Sequence, residues 1–516
     1  MSSMNLVSAG TLDGVTPAAS AERAERVFAR GVTVASVAAA VVLLCSVGVA
    51  FWAQNELAPP ESVVAAQSLM LAQQGTLYYD LNQYPYTVSA YMPVFYGLEA
   101  GLIRLGLPAF AAGRLLSLAA LLGLVFVTAR IVQLYTGHVI STRIAAIAVA
   151  ISPLMFFWGV VGQVDLLAVF LTVAAFYQFS RYDVLGEPVL WRAGVLAGLA
   201  LFTKQTMLAG PAAMVLVLAV RDSKKALRFA VCLGIPLSVA VWAVNAALGG
   251  RFLQNTLFAN MNPLSGEKLL AQLQYFGGVC GGLLVIALAA LPKLRGKALA
   301  PAVYMACAGA VFLATAPKVG SDTNYQLELT VTLVLCAVIG LHQLDFYRLH
   351  FAGSKSWITL LILPLGVHAA VGVRMAWNML PVRAANEQVF RAEVEGLRPY
   401  VPTDGKVVST DYNAMVRLRQ KMDVEPLIYG LLVQAGQVDP EPLRRDLESS
   451  SIAAVILHED AFHESPLADA EIASLPEPQL AELRVHYRMA AHVPGPFLDG
   501  VFVYLPRSSQ NPVQNQ

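Results

Sequence analysis

Hydrophobic positions in the first three quarters of the chain fall into about eleven stretches of membrane-spanning length. A bilayer core needs roughly 20 apolar residues per helix, so each stretch predicts a transmembrane helix. The expected crossings lie near residues 31–53, 115–130, 144–158, 166–180, 192–203, 207–220, 229–248, 276–292, 298–316, 325–343 and 356–376. A shorter apolar run, about Met92 to Ile103, is expected to lie at the outer interface.

Basic residues between these stretches define an orientation, because Lys and Arg concentrate in cytoplasmic loops. The N-terminal segment 1–30 is therefore predicted to be cytoplasmic and disordered, with residues 31–53 as an uncleaved anchor rather than a signal peptide. The loop 54–91 then lies on the outer side. The basic clusters assigned to the cytoplasm are Arg130/Arg143, Arg181/Arg192, Arg221/Lys224/Lys225/Arg228, Lys293/Arg295/Lys297 and Arg348/Lys355.

Composition agrees with a protein that lies mostly in lipid. Hydrophobic residues make up 57% of the chain and charged residues 13%, unlike a soluble domain. The net charge of +1 gives no indication of nucleic-acid binding. The five cysteines all fall within predicted helices, which favours small apolar roles over disulfides, and no glycine-rich phosphate loop or metal-spaced Cys/His cluster occurs.

Polar residues that are unusual beside a membrane converge on the predicted outer face. Ionisable groups next to lipid are costly, so they tend to be paired or functional. The candidates are Glu56, Glu61 and Tyr91 of the loop, Arg114, Asp165 at a helix start, Lys204 and Gln205 inside a hairpin, and Asn324 and Tyr325. Each candidate also has a structural explanation. Glu56 could be a solvated loop charge, and Glu61 and Asp165 could be first-turn charges that interact with the helix dipole. Lys204 could extend to the membrane interface, and the loop tyrosines could form an interfacial aromatic belt.

Carboxylates opposed by Lys204 and Arg114 suit a reaction on a phosphate-bearing substrate. The cations would hold the anion while a carboxylate takes a proton. The segments of interest occur in the order "GTLYYDLNQYPYTVSAYMPVFY", Arg114-Leu115-Leu116-Ser117, "SPLMFFWGVVGQVDLLAVFLTVAAF", "LAGLALFTKQTMLAGPAAMVLVLAV" and "KVGSDTNYQLEL".

This ordered set resembles the GT-C glycosyltransferases, and most closely the branch of protein O-mannosyltransferases and lipid A aminoarabinose transferases. The resemblance implies an inverting transfer of a sugar from a polyprenyl-phosphate donor to a hydroxyl of a periplasmic glycan, lipid or protein. It implies a first-loop carboxylate as general base, which Glu61 matches best, with Glu56 left open. Asp165 matches the second acidic residue of the family.

The family's usual basic residue before Pro-Pro-Leu is missing here, where the sequence reads Ser89-Ala90-Tyr91-Met92-Pro93. Lys204 or Arg114 is then expected to carry the phosphate contact, with Gln205, Asn324, Tyr325 and Tyr91 as further substrate contacts. The first loop has no Asp-x-Asp pair, so a metal-independent enzyme without a cofactor is favoured. The resemblance also implies the inner membrane of a bacterium.

The catalytic membrane domain is assigned to residues 31–380, and charge rises after it. Residues 381–507 are predicted to form a small periplasmic α/β domain, followed by a disordered tail, 508–516. "GKVVSTD", "SIAAVILHED" and "VFVYLP" predict strands, and 384–397 and 441–449 predict helices. The polar run His458, Glu459, Asp460 and His463 is interpreted as ordinary strand-to-loop polarity rather than a metal site.

Two other functions compete with transfer. A transporter or flippase would place polar groups near the bilayer midplane, often in inverted repeats, and the sequence contains no such repeat. A structural partner with a decayed site is suggested by the missing basic residue, but both Glu61 and Asp165 are retained.

Overall fold

The computed structural model describes residues 17–344, 362–424, 426–463, 475–497 and 500–508, and it is mainly helical. The first part contains α1 Pro17–Trp52, α2 Pro59–Gln74, α3 Pro93–Arg104, α4 Ala109–Thr136, α5 Val139–Ala150, α6 Pro153–Trp158, α7 Val164–Leu185, α8 Leu190–Leu201, α9 Ala209–Arg221, α10 Ser223–Ala247, α11 Arg251–Thr256, α12 Gly266–Ala290, α13 Leu299–Thr315 and α14 Leu327–Gln343. A further long helix, α15 Ile362–Leu397, leads into the C-terminal domain.

Seven helices in the described residues are long and apolar enough to cross a membrane. They are α1, α4, α7, α10, α12, α13 and α14. Three of these apolar spans also take in a short 3-10 turn next to the helix. The apolar helices α5, α8 and α9 are shorter, with 12 or 13 residues each. These ten helices match the first ten predicted crossings, which confirms a multi-pass helical membrane protein.

Two predicted boundaries were wrong. The first helix begins at Pro17, so residues 17–30, which were expected to be disordered, are helical. The second is α12, which begins ten residues before the expected 276 because Ser265 caps it, its side chain accepting a hydrogen bond from the backbone N–H of Lys268. Residues 1–16, the basic cluster Arg348/Lys355, the start of the eleventh crossing and the tail from 509 lie outside the described residues.

The bundle has a lipid-facing edge and a packed centre. Outward-facing apolar side chains on α10 include Trp242, which is 71% exposed within the protein, as expected of a helix that contacts lipid. In α14 every residue from Leu327 to Leu341 is buried. This helix packs against α4, α5, α12 and α13, so it forms the centre of the membrane part.

The short run after the first loop forms α3, which has only 12 residues, as predicted for a helix too short to span. Pro93 and Pro59 begin α3 and α2, where the missing N–H groups of proline cost nothing. Gly75 ends α2 with a φ of 74°, a left-handed conformation that favours glycine.

The C-terminal domain is a four-stranded sheet with helices. Its strands are β1 Lys406–Ser409, β2 Ile452–Leu457, β3 Tyr487–Val493 and β4 Val501–Pro506, in the order β1-β2-β4-β3. Only β1 and β2 are parallel. Its helices are α16 Tyr412–Arg419, α17 Pro426–Gln434, α18 Glu441–Glu448 and α19 Glu477–His486.

The predicted α/β character of this domain is confirmed, and the three predicted strands are β1, β2 and β4. The predicted helix 384–397 is not a separate element, because it is the end of α15. Within α15, Glu387 accepts hydrogen bonds from the backbone N–H groups of Gln54 and Asn55. The same helix therefore holds both the first loop and the C-terminal domain.

Candidate active site

Glu61 lies in the first turn of α2 and forms a buried ion pair with Arg114 of α4. Each of its carboxylate oxygens accepts a guanidinium hydrogen bond at 2.9 Å. The backbone N–H groups of Leu57 and Gly162 also donate to Glu61, at 2.6 and 2.8 Å. Both oxygens are thus fully used by the protein itself.

Arg114 is equally occupied. Its guanidinium donates to the backbone carbonyls of Ala50, Ala53 and Asn55, at the end of α1 and just after it. The side chain is 1% exposed. This arrangement ties the start of the first loop to α4 and leaves the guanidinium committed to protein atoms.

Asp165 and Lys204 form the second buried pair, with 2.5 Å between Oδ1 and Nζ. The other oxygen of Asp165 accepts a hydrogen bond from the amide of Asn324 at 3.0 Å. The ammonium group also lies 4.2 Å from the ring centre of Tyr325 and 5.8 Å from that of Tyr91. The two cations and two carboxylates that the sequence singled out are thus paired with each other.

Gln205, next to Lys204, fixes two backbone segments. Its amide nitrogen donates to the carbonyls of Ala90 and Thr256. It joins the end of the first loop to the end of α11, and it does not line the large cavity described next.

A cavity of about 570 Å³ lies between the membrane part and the C-terminal domain. Three predicted site residues line it: Glu56, Tyr91 and Tyr325. Glu61, Arg114, Asp165, Lys204, Gln205 and Asn324 do not. The two buried ion pairs therefore lie behind the residues that line the cavity, and other side chains face it.

Glu56 is the first-loop carboxylate that faces the cavity. It is 8% exposed, and its Oε2 has no hydrogen-bond partner among the described residues. Burial raises the pKa of Glu56 to about 8, although a hydrogen bond from Ser62 opposes the shift. The charges of Asp411 and Glu61 raise it further. Glu56 is thus a basic carboxylate with a free oxygen.

Lys318 and two asparagines form one end of the cavity. The ammonium group of Lys318 lies 3.3 Å from Oδ1 of Asn260, and Asn262 donates to the neighbouring carbonyl of Val319. Burial lowers the pKa of Lys318 to about 8, and the charge of Lys204 lowers it further. No salt bridge joins Lys318 to a carboxylate in the described residues. Lys318 therefore lines the cavity with a positive charge that no carboxylate among the described residues neutralises.

Glu393 of α15 and Asp411, before α16, lie at the other end with Glu56. Glu393 Oε1 and Asp411 Oδ2 are buried and have no hydrogen-bond partner among the described residues. Burial raises the pKa of Glu393, and the charges of Asp411 and Glu56 add to the shift. Burial likewise raises the pKa of Asp411. Three acidic groups from distant parts of the chain therefore meet here.

His458 lies beside these acids and was not predicted to be functional. Its Nδ1 is 2.8 Å from the hydroxyl of Thr410, whose oxygen accepts the backbone N–H of His458 at 3.0 Å. Burial lowers the pKa of His458 to about 4, so the ring is neutral at pH 7. His458 is thus a neutral imidazole whose Nδ1 is engaged by the Thr410 hydroxyl.

Gln163, two residues before Asp165, also lines the cavity. Its side chain is 2% exposed, and neither its oxygen nor its nitrogen has a partner among the described residues. A buried amide with both groups unmatched is costly unless a ligand satisfies it. Only its position before Asp165, within a quoted segment, could have suggested it from sequence.

No arrangement suited to hold a metal ion is formed by three His, Cys, Asp or Glu residues within the described part of the chain. The acids at the Glu56 end are close enough for their charges to interact. They are not arranged around a common point.

The fold places the chain in a known structural class. The chain resembles the crystal structure of ArnT from Cupriavidus metallidurans in the apo state, with a TM-score of 0.61 and 15% identity. The alignment covers 93% of this chain and 98% of that one. ArnT from the same organism bound to undecaprenyl phosphate gives a TM-score of 0.58, with the same identity and coverage. The chain has the GT-C fold.

Sequence comparison is consistent with this class. Residues 101–342 match Glycosyltransferase family 87. No curated protein matches the sequence significantly. The fold and the family match together support the expectation of a membrane glycosyltransferase.

Proposed function

We propose that this protein transfers a sugar from a polyprenyl-phosphate donor to an acceptor hydroxyl, with Glu56 as the general base. The observation that carries this assignment is the free, buried Oε2 of Glu56 in the cavity. Glu61, the residue that best matches the family position, has both oxygens bound to Arg114 and to backbone N–H groups. The choice between the two first-loop carboxylates therefore falls on Glu56.

The proposed step is a single displacement. Glu56 takes the proton of the acceptor hydroxyl as its oxygen forms a bond to the anomeric carbon. The bond from that carbon to the phosphate oxygen breaks, and the electron pair leaves with polyprenyl phosphate. Attack opposite the leaving group inverts the anomeric centre. A raised pKa makes Glu56 a stronger base than an exposed carboxylate.

We assign the phosphate contact to Lys318. The sequence favoured Lys204 or Arg114, but both cations are already bound to buried carboxylates. Lys318 faces the cavity beside the amides of Asn260 and Asn262, which add neutral polar groups. An ammonium group at this end stabilises the negative charge that collects on the departing phosphate. The buried amide of Gln163 is available to the sugar hydroxyls.

The donor class is supported by ArnT from Cupriavidus metallidurans, which has a similar fold and whose crystal structure contains bound undecaprenyl phosphate. The distribution of Lys and Arg supports a cytoplasmic N-terminus and a cavity on the outer face, consistent with a bacterial inner membrane. We further propose that the step runs without a divalent metal or cofactor, because base and cation are both supplied by side chains.

The experiment measures transfer by the full chain in lipid nanodiscs, with a panel of polyprenyl-phosphate sugars and an acceptor panel of neutral glycosides, lipids and hydroxyl-bearing peptides. Glu56→Gln is expected to abolish transfer while keeping the wild-type melting temperature. Asp80→Asn, in the same loop but outside the cavity, is the matched control and should transfer normally. Normal transfer by a folded Glu56→Gln protein would exclude the base assignment.

A further inference from the structure

The cavity has two chemically different ends. Lys318, with Asn260 and Asn262, lies at one end, and among the described residues the charge that acts on its pKa is that of Lys204. Glu56, Glu393 and Asp411 form the other end, which we call the acid end, and their charges act on one another. A donor phosphate fits the lysine end, so the acid end is left for the second substrate.

Three acidic groups at the acid end require hydrogen-bond donors. Each has a buried oxygen without a partner among the described residues, and none forms a salt bridge there. A buried acceptor left unmatched destabilises the protein unless a ligand supplies a donor. Gln163, a separate buried amide in the same cavity, is unmatched as well. These groups together call for a ligand with several hydroxyls.

The acid end also disfavours a negative ligand. A phosphate or carboxylate placed here would be repelled by any acid that is ionised, and it would raise the pKa of the others still further. His458 adds a neutral imidazole rather than a cation, with its Nδ1 engaged by Thr410. The acid end thus offers hydrogen-bonding groups but no positive charge, which suits a neutral ligand with several hydroxyls.

An aromatic ring completes this end. Phe497, in the connection between β3 and β4, lines the cavity with its ring centre 6.5 Å from that of His458 and 5.7 Å from that of Phe390. A ring of this kind can cover the apolar C–H face of a sugar while carboxylates bind the hydroxyls at its edge. Thr410, Asp411, His458 and Phe497 all belong to the C-terminal domain.

We propose that the acceptor is a neutral carbohydrate and that the C-terminal domain holds it through Asp411, His458 and Phe497, together with Glu393 of α15. This inference rests on the proposed function, and it selects a glycan hydroxyl over a lipid phosphate or a protein side chain. Glu393 and Asp411 are positioned to bind acceptor hydroxyls, while Glu56 takes the reacting proton.

The test compares Glu393→Gln with Glu395→Gln in the full chain in nanodiscs. Glu395 is two residues further along the same helix, exposed and paired with Arg398, so its variant is a matched control. Binding of neutral hexyl disaccharides and of their 6-phosphates is measured by calorimetry without any donor. Glu393→Gln is expected to weaken binding of the neutral compounds about tenfold or more, and Glu395→Gln to leave it unchanged.

Transfer assays give the second readout. Glu393→Gln and Phe497→Ala should each raise the KM for the neutral acceptor about tenfold, with the KM for the donor unchanged. Asp411→Asn keeps the cap of α16, since asparagine also accepts from the Ala414 N–H, and serves if Glu393→Gln does not fold.

The outcomes separate the two proposals. Specific binding of neutral disaccharides, weakened by Glu393→Gln, supports the acceptor site even if no polyprenyl-phosphate sugar is consumed, in which case the donor assignment fails alone. Preferred binding or use of a 6-phosphate, or of a serine peptide, overturns the inference while leaving transfer intact. Equal behaviour of folded Glu393→Gln, Phe497→Ala and wild type overturns it as well.

Discussion

Arg114 donates one hydrogen bond to each carboxylate oxygen of Glu61, both at 2.9 Å. The same guanidinium binds the carbonyls of Ala50, Ala53 and Asn55. A carboxylate held in this way is poorly placed to take a proton from a substrate. We infer that Glu61 positions the first loop, which brings Glu56 to the cavity.

Glu61→Gln is therefore expected to destabilise the protein. It leaves the charge of Arg114 buried without its partner, and removing one member of a buried ion pair costs about 3–5 kcal/mol. The measurement is the melting temperature in nanodiscs, which should fall clearly below that of wild type. A double variant, Glu61→Leu with Arg114→Met, should recover part of the loss because no lone charge remains. A Glu61→Gln protein with wild-type stability and no transfer would instead make Glu61 the base.

The pH dependence of transfer should follow two groups at opposite ends of the cavity. Glu56 acts deprotonated and Lys318 acts protonated, and the pKa of each in the free protein is about 8. The profile of kcat/KM for the donor should therefore be bell-shaped with a maximum near pH 8. Lys318→Arg should remove the alkaline fall, since arginine keeps its charge. Asp411→Asn should move the acid limb to lower pH, because the charge of Asp411 raises the pKa of Glu56.

Lys318→Met is expected to raise the KM for the donor about tenfold or more, because a charge-assisted hydrogen bond to the phosphate is lost. Initial rates over a range of donor concentrations measure this. Lys268→Met, in the first turn of α12 and outside the cavity, is the control. A donor KM that does not change in Lys318→Met would return the phosphate contact to Lys204 or Arg114.

The acid end should make the protein less stable as pH rises. The pKa values of Glu56 and Glu393 in the folded protein lie above the ordinary value of 4.5. Their protonated forms thus favour the fold, and this contribution is complete below about pH 4.5 and is lost as the pH rises through about 8. The melting temperature should fall between pH 6 and pH 9, and Glu393→Gln should reduce the fall. An equal fall in both proteins would contradict the assignment.

Chelation tests the proposal of a metal-independent reaction. Transfer after dialysis against EDTA is expected to equal that of the untreated protein, because Glu56 and Lys318 supply the base and the cation. Added Mg²⁺ or Mn²⁺ should have no effect on kcat. A rate that is lost with EDTA and restored by one of these ions would show that a metal takes part.

The membrane part could be predicted from sequence because its signal is local. A run of apolar residues indicates a helix wherever it packs, and ten of the expected crossings correspond to helices. The candidate site depends on long-range pairing. Glu61 and Arg114 are 53 residues apart, and nothing in either segment shows that the two side chains neutralise each other. The ion pair of Glu61 with Arg114 was therefore not predicted.

Apart from Glu56, the residues at the acid end were missed by sequence reasoning. Glu393 lies on a helix with many other charges, and Asp411 looks like an ordinary helix cap, which it also is. His458 was dismissed with its polar neighbours, yet it lines the cavity. The strand Tyr487–Val493 was missed because its side chains do not alternate cleanly between buried and exposed. Only the docking of the C-terminal domain brings these residues to the membrane part.

The helix Ile362–Leu397 is continuous over 36 residues, a length of about 54 Å. It packs against α1 and α12, and it binds the first loop through Glu387 before it reaches Glu393 at the cavity. Lifting the C-terminal domain away from the membrane part would have to break those contacts or bend the helix at Pro381, which lies inside it. An acceptor that enters without such a movement is limited in size by the gap between the two parts of the protein.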